Sequence, residues 1–220
     1  MFLTRKAQMV APEQTLPGRS ERRFPIAEKH KVLDAPVVTD EVPEGYEVAL
    51  FGLGCFWGAE EIYWQVPGVW STSVGYAGGT TPHPTYEEVC SGATNHTEAV
   101  RIVFDPSRVS YADLVKTFFE VHDPTQGFRQ GNDVGTQYRS AIYWTTPEQE
   151  QVARELTKVY GDELKRRRLG DITTEIRPAA PLEGGTPYFY AEDQHQQYLA
   201  KNPFGYRCHA NTGVKFPASA

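Results

Sequence analysis

The sequence has 220 residues, of which 40% are hydrophobic, and a formal net charge of −6 at pH 7. This apolar content is enough for one well-formed core, whereas the acidic balance argues against non-specific binding to nucleic acid. The longest nearly apolar run, residues 48–57, is shorter than the roughly 20 residues that a membrane span needs. No signal peptide and no framework of paired cysteines is evident, so we expect a cytoplasmic protein.

Residues 1–45 are predicted to form an arm outside the core. They contain five of the 16 prolines but only two aromatic residues, Phe2 and Phe24. A segment of this composition buries little apolar surface, so we expect it to wrap a surface or to be partly disordered. The net negative charge lies in the remainder of the chain, because the charges of the arm balance.

Strand and helix patterns alternate from residue 47 onward. The strand patterns fall at residues 48–51, 69–76, 97–104, 140–144 and 171–177. The helix patterns fall at residues 55–65, 111–122, 147–168 and 190–199, with one helical turn at 86–90. Helices interleaved with strands predict a single domain of the α+β or α/β class, followed by an irregular tail after Lys201.

The first candidate site residue is Cys55, which follows a strand ending in Gly52-Leu53-Gly54 and opens the first predicted helix. Backbone N–H groups at a helix start stabilise a thiolate, so this position favours a lowered thiol pKa and a nucleophilic role. Phe56 and Trp57 place a large apolar surface beside the sulfur. A small buried cysteine among core aromatics is the alternative, and this motif alone does not decide between the two.

The second candidate is Glu98, in the clearest predicted strand. Alternation along residues 97–104 places Glu98 on the same face as Val100, Ile102 and Phe104, which marks that face as buried. Burial raises the pKa of a carboxyl group and keeps it protonated near neutral pH, as a general acid requires. An exposed carboxylate at the strand end remains the alternative.

Three tyrosines in predicted loops form the next group: Tyr76, Tyr86 and Tyr138. A tyrosine hydroxyl in a loop can donate a hydrogen bond to an oxygen on which negative charge develops. Most tyrosines serve instead as amphipathic packing, so each one alone is a weak signal. Their common placement beside glycines and prolines is what raises interest in them.

The second cysteine of interest is Cys208, in the tail between Arg207 and His209, both of which can favour a thiolate. A cysteine in an irregular tail could reach a sulfenic acid on another cysteine, as a resolving thiol must. A metal site built on Cys208 and His209 has no ligand spacing to support it. Cys90 is interpreted as structural, and His195 as a hydrogen-bonded surface histidine.

Nine short motifs, in this order, resemble the A-type peptide methionine sulfoxide reductases. The motifs are GCFWG at 54–58, GYAGG at 75–79, PTY at 84–86, HTEAV at 96–100, HDPT at 122–125, RQGND at 129–133, QYRS at 137–140, YAEDQHQQYL at 190–199 and KNP at 201–203. The resemblance implies an α+β fold, an α/β sandwich with a ferredoxin-like core and a mixed central sheet. It implies a catalytic domain over residues 46–200, wrapped by the arm (1–45) and by a tail (201–220) that carries the resolving cysteine.

The resemblance also implies a role for each matching residue. Cys55 would attack the sulfur of methionine S-sulfoxide, free or in proteins, and Glu98 would protonate the departing oxygen. Tyr86 and Tyr138 would hydrogen-bond that oxygen. A sulfenic acid on Cys55 and a molecule of methionine would result, with no metal or organic cofactor.

The remaining expected roles concern substrate binding and recycling. Phe56 and Trp57 would hold the substrate methyl group, and Asp133 would contact the substrate backbone. Cys208 would convert the sulfenic acid into a disulfide. Many members of this family carry two cysteines in the tail, but here none follows Cys208. The disulfide between Cys55 and Cys208 would therefore be reduced directly, by thioredoxin or a similar thiol reductant, and we expect the protein to be a monomer.

Two other classes of function compete with this interpretation. A cysteine hydrolase or acyltransferase would activate Cys55 with one of the six histidines and would need no Cys208. An interaction module would use the aromatic surface around Trp57, Trp64 and Trp70, and its binding would not depend on the Cys55 thiol.

Overall fold

The computed structural model describes residues 7–208 and 210–218 of the chain. The α-helices are α1 (Phe56–Trp64), α2 (Tyr86–Cys90), α3 (Tyr111–Val121), α4 (Pro147–Arg166) and α5 (Tyr198–Lys201). The β-strands are β1 (Glu47–Leu53), β2 (Val69–Ala77), β3 (Thr97–Phe104), β4 (Arg129–Gln130), β5 (Asp133–Val134), β6 (Ser140–Trp144), β7 (Glu175–Pro178) and β8 (Phe189–Tyr190). Short 3₁₀ helices occupy Pro12–Gln14 and Thr136–Tyr138.

Six strands form one mixed sheet in the order β7-β6-β1-β3-β2-β8. The β6–β7 pair is parallel and the other pairs are antiparallel, while β4 and β5 form a separate two-stranded ribbon. The central position of β1 and β3 places the end of β1, where Cys55 follows, beside the beginning of β3, where Glu98 lies. The expected α+β fold with a mixed central sheet is confirmed.

The main core lies between one face of the sheet and the helices α1, α3 and α4. Phe51 on β1 is fully buried there and packs against Tyr63 of α1 and Phe118 of α3. Burial of each large apolar side chain stabilises the folded protein by roughly 2–3 kcal/mol, and this packing fixes the three helices against the sheet. It also holds the first turn of α1 in a defined position below the end of β1.

The described part of the arm, residues 7–45, lies against the body of the protein. Arg19 forms a two-pronged ion pair with Glu88 at 2.6 and 2.7 Å, and Asn95 exchanges hydrogen bonds with the Val10 backbone. Further along, Arg101 donates to the side chain and backbone of Thr39. These bonds hold the described part of the arm to α2, to the loop before β3 and to β3 itself.

Two predicted elements differ from the structure. Residues 190–199 do not form one helix: β8 ends at Tyr190, turns follow, and α5 begins only at Tyr198. The Gln196 side chain hydrogen-bonds both the N–H and the C=O of Val74, and Gln197 has a positive φ of 45°. These side-chain bonds to β2 compete with helix formation. Similarly, the strand expected at 171–177 begins only at Glu175, because Thr173 is bonded to Pro124 instead.

Candidate active site

Cys55 is the N-cap residue of α1 and directly follows Gly54, the first residue after β1. Gly54 has a φ of +93°, and a Cβ atom there would lie 2.6 Å from the side chain of Gln130. The position therefore requires glycine for both conformation and space. The backbone N–H groups of Trp57 and Gly58 favour the charged form of the Cys55 sulfur, although the side chain makes no capping hydrogen bond to the helix. The sulfur is buried. Cys55 thus occupies the helix start that the sequence predicts.

The pKa of Cys55, however, is shifted in the opposite direction from the expected one. Burial of the sulfur, followed by the charge of Glu98, raises the pKa of the Cys55 thiol, and the N–H groups of Trp57 and Gly58 lower it by less. The expectation of a lowered pKa is wrong for this structure, because loss of water around the sulfur outweighs the helix start. Cys55 is consequently a thiol at neutral pH.

Glu98 lies next to Cys55 at the beginning of β3 and is only 1% exposed. Its Oε2 atom accepts a hydrogen bond of 2.9 Å from the backbone N–H of Phe56, the residue after Cys55. Burial, with a smaller contribution from the charge of nearby Asp133, raises the pKa of Glu98 to about 8 against the opposing effect of that hydrogen bond. The predicted burial of Glu98 is confirmed, and the carboxyl group carries a proton at neutral pH.

Replacing Glu98 with glutamine is expected to raise the free energy of unfolding near neutral pH by ~2–4 kcal/mol. The folded-state pKa of about 8 lies above the ordinary value of 4.5. Between these values the folded protein holds a proton that the unfolded chain releases, so stability is lost as pH rises from 4.5 to about 8. Glutamine removes this loss. Denaturant titrations at about pH 5 and pH 8 should show a gain that grows with pH, and an equal gain at both would contradict the assignment.

Tyr86 and Tyr138 lie within electrostatic reach of Glu98. Burial and then the charge of Glu98 raise the pKa of each hydroxyl, and Tyr86 in turn raises the pKa of Tyr138. Both hydroxyl groups are therefore protonated donors over the physiological pH range. Tyr86 begins α2, and its side chain hydrogen-bonds that of Cys90 one turn later. The hydroxyl of the third tyrosine, Tyr76, is instead occupied by Glu192 at 2.9 Å.

Aromatic side chains from α1 form an apolar wall beside Cys55. Phe56 is buried and packs against Tyr76 and Tyr86, with ring centroids 5.9 and 6.4 Å apart. Trp57 is partly buried and stacks on Tyr198 of α5 at 3.9 Å. The wall thus joins residues from α1, α2, β2 and α5, and it leaves Trp57 partly open to solvent.

The tail containing Cys208 lies against the ribbon formed by β4 and β5. The Cys208 thiol donates a hydrogen bond of 3.5 Å to the backbone oxygen of Gln130, whose side chain contacts Gly54. The Tyr206 hydroxyl donates to Asp133 at 3.1 Å. Cys55 and Cys208 are not joined by a disulfide in this structure.

Arg207, which was expected to favour a Cys208 thiolate, is paired with a carboxylate instead. Arg207 is paired with Glu61 of α1, with N–O distances of 2.6 and 2.7 Å. Its guanidinium group therefore anchors the tail to α1 and is not free for the sulfur. The expected contribution of His209 concerns a residue outside the described part of the chain.

Comparisons with known proteins agree with this geometry. The family model described as peptide methionine sulfoxide reductase matches residues 47–219. The chain belongs to the peptide methionine sulfoxide reductase family. It is 54% identical to the peptide methionine sulfoxide reductase MsrA of Salinispora arenicola over 220 residues, which cover 99% of this chain and 96% of that protein.

Two solved structures share the fold. Methionine sulfoxide reductase A of Corynebacterium diphtheriae superposes with a TM-score of 0.84 at 49% identity, covering 96% of this chain and 99% of that one. The reduced form of Mxr1 from Saccharomyces cerevisiae gives a TM-score of 0.66 at 31% identity, covering 76% and 91%. The superposition on Mxr1 therefore covers a smaller share of this chain than the superposition on the Corynebacterium diphtheriae protein.

Sequence reasoning missed three polar residues that surround the site of this reductase. Glu192 bonds the Tyr76 hydroxyl and the Tyr86 backbone, and fully buried Glu60 accepts three hydrogen bonds, from Thr72 and Gln197. His195 was expected at the surface but is 5% exposed. The run of polar residues at 192–197 was the available signal for Glu192 and His195, and the prediction of a helix at 190–199 obscured the burial of His195.

The described residues contain neither a metal-binding cluster nor a membrane-spanning helix. Within residues 7–208 and 210–218, no group of three or more histidine, cysteine, aspartate or glutamate side chains could hold a metal ion. No helix in the described part of the reductase has both the length and the apolar character to cross a membrane.

Proposed function

We propose that this methionine sulfoxide reductase acts through Cys55 as nucleophile and Glu98 as general acid. The observation that carries the proposal is their shared contact with α1: Cys55 caps the helix, and the next residue donates its N–H to the Glu98 carboxyl group. A protonated carboxyl thus lies beside a thiol in a site largely closed to water. Such a pair supplies both the attacking sulfur and the proton that a sulfoxide oxygen needs.

The first half-reaction converts a thiol and a sulfoxide into a sulfenic acid and a thioether. The Cys55 sulfur attacks the sulfoxide sulfur, Glu98 protonates the sulfoxide oxygen, and Tyr86 and Tyr138 donate hydrogen bonds to it. The new bond between the two sulfurs and the bond between the methionine sulfur and its oxygen then break as the oxygen moves to the Cys55 sulfur. The products are Cys55–SOH and methionine, and the thiol proton restores Glu98. Phe56 and Trp57 pack around the substrate methyl group, and Asp133 contacts the substrate backbone.

The second half-reaction restores the thiol. Cys208 attacks the sulfenic acid, which releases water and forms the disulfide between Cys55 and Cys208. An external dithiol then reduces this disulfide and becomes oxidised itself, and thioredoxin or a similar protein fits that role. The substrates are oxidised proteins and free methionine S-sulfoxide, so the activity repairs oxidative damage.

The proposal includes the setting of the enzyme. The chain has three cysteines, an odd number that suits a reducing compartment, so we propose that the enzyme is cytoplasmic. We also propose that it is a monomer. Residues 46–200 form its catalytic domain, with the arm at 1–45 and the tail at 201–220.

A cysteine hydrolase is less compatible with the geometry. In the described residues no histidine hydrogen-bonds Cys55, and His195, which packs against Phe56 and Trp57, uses Nδ1 to accept a bond from Trp57. Burial also lowers the pKa of His195. A cysteine–histidine pair of the kind that activates such hydrolases is therefore absent from this part of the chain.

The two epimers of methionine sulfoxide test the proposed reaction. Fully reduced protein, freed of reductant, is mixed with an excess of either epimer, and methionine is quantified. We expect one methionine per chain from the S epimer and none from the R epimer. Equal release from both epimers would contradict the proposed stereochemistry, and no release from either would contradict the chemistry.

Replacing Gly131 with alanine is expected to slow disulfide formation roughly tenfold without changing the first half-reaction. Gly131 has a φ of +59°, and a Cβ atom there would lie 2.9 Å from the Ala210 side chain and 3.4 Å from the Cys208 sulfur. The tail would have to move away from its position beside the ribbon. Rapid-quench measurements of methionine and of free thiols separate the two steps.

The matched control for this substitution is Gly127→Ala. Gly127 has a similar φ of +64°, but a Cβ atom there would meet nothing within 4 Å. Both variants should lose ~1–2 kcal/mol of stability from the strained backbone, and only Gly131→Ala should slow the thiol loss. Equal rates of disulfide formation in the two variants would show that the observed tail position is irrelevant to the second half-reaction.

A further inference from the structure

His195 contacts three side chains of the candidate active site. Its Nδ1 atom lies 3.2 Å from the indole Nε1 of Trp57, and its ring lies 4.3 Å from that of Tyr86 and 5.6 Å from that of Phe56. At 5% exposure it is buried behind these aromatic rings. No part of the proposed reaction uses this histidine.

The hydrogen bond to Trp57 determines the state of the imidazole. An indole N–H can only donate, so Nδ1 must be the unprotonated nitrogen and Nε2 carries the hydrogen. Nε2 is buried and has no hydrogen-bond partner in the described structure. A buried donor without a partner is destabilising, so the Trp57 bond and the ring contacts together must hold the imidazole in this orientation.

The residues that follow His195 fix its backbone. The Gln196 amide bonds to Val74 and Ala191, and the N–H and side chain of Gln197 both donate to Glu60. Because Glu60 belongs to α1, the same helix that carries Trp57 also anchors the segment behind it. The backbone that carries His195 is therefore held both to β2 and to α1.

We propose that His195 is a positioning residue that fixes the Trp57 indole and thereby sets the size of the group accepted beside the substrate sulfur. This inference rests on the proposed contact of Phe56 and Trp57 with the substrate methyl group. If the indole is held in place, a methyl group fits against it and a larger alkyl group does not. Without the Nδ1 acceptor, the indole can rotate and the pocket loses its discrimination.

The test compares His195→Leu with His195→Asn, using the S epimers of methionine sulfoxide and of its S-ethyl analogue, ethionine sulfoxide. Leucine fills space but cannot accept a hydrogen bond, whereas the asparagine Oδ1 atom can replace Nδ1 as the acceptor. We expect His195→Leu to raise KM for methionine sulfoxide about three- to tenfold, the size of one neutral hydrogen bond, with kcat changed less than about twofold. The preference for methyl over ethyl in kcat/KM should fall by at least about threefold.

His195→Asn should keep both KM and the methyl preference within about twofold of the wild-type values. A double-mutant cycle adds a second readout: in a Trp57→Phe background, the donor is gone and His195→Leu should change the preference no further. If His195→Leu does not fold, His195→Phe, which keeps a ring but no acceptor, replaces it with the same expected loss of preference.

The results separate this inference from the proposed function. A wild-type protein that reduces neither sulfoxide would contradict the proposed function itself. An active wild type with an unchanged methyl preference in His195→Leu would overturn only the role of His195. Equal losses in the leucine and asparagine variants, or additive losses in the cycle, would overturn it too, because they would indicate a general effect on the fold.

Discussion

Replacing Glu98 with glutamine is expected to slow methionine formation by about 10²–10⁴-fold, the usual contribution of a general acid. The glutamine amide can still accept the hydrogen bond from the Phe56 N–H, so the geometry of the helix start should survive. It cannot give a proton to the sulfoxide oxygen. Rapid-quench measurement of methionine in a single turnover gives the rate directly, without a contribution from the external reductant.

The control for this substitution is Glu155→Gln, on the exposed face of α4, which should keep the wild-type rate. The pH dependence provides a second check. Because Glu98 must be protonated and its pKa is raised to about 8, the wild-type rate should fall as pH rises above about 8. The residual rate of Glu98→Gln should show no such decline. A loss of less than tenfold at neutral pH would show that another group supplies the proton.

Replacing Cys208 with serine is expected to abolish turnover driven by thioredoxin, by at least about 100-fold, while the first methionine still forms within about threefold of the wild-type rate. The Cys208 sulfur lies outside the buried site, against Gln130, so the first half-reaction has no need of it. Without Cys208, the sulfenic acid on Cys55 persists. A small dithiol that reduces sulfenic acids should restore part of the turnover.

Mass spectrometry of the Cys208→Ser protein tests the origin of the added oxygen. Sulfoxide labelled with heavy oxygen should transfer the label to Cys55, since the reaction moves the sulfoxide oxygen to the enzyme. Cys90→Ser is the matched control, and it should still form the disulfide between Cys55 and Cys208. Unchanged thioredoxin-driven turnover in Cys208→Ser would remove the resolving role from this cysteine.

The sequence predicted the elements of the fold where local patterns dominate. The predicted strand at 97–104 matches β3, and α1 begins at Phe56, one residue after the predicted start at Cys55, because strand alternation and glycine placement are local signals. The elements near the C-terminal end of the domain were predicted less well. At residues 190–199 the glutamine side chains bond the distant strand β2, a long-range contact that no local period reveals.

In the candidate site, too, local patterns were predictive and long-range contacts were not. Burial of Glu98 followed from its neighbours on one strand face, and the N-cap position of Cys55 from the preceding glycines. The direction of the Cys55 pKa shift did not, because it depends on enclosure by segments far apart in sequence and on the charge of Glu98. Likewise, nothing near His195 in the sequence indicates that Trp57 would occupy its Nδ1 atom.

The most direct test of the account is a count of thiols during one turnover. The protein is fully reduced, separated from reductant and mixed with excess methionine S-sulfoxide; free cysteines, intact mass and methionine are then measured. The account predicts a fall from three thiols to one, a mass lower by two hydrogens, and one methionine per chain. Three unchanged thiols with no methionine formed would contradict it.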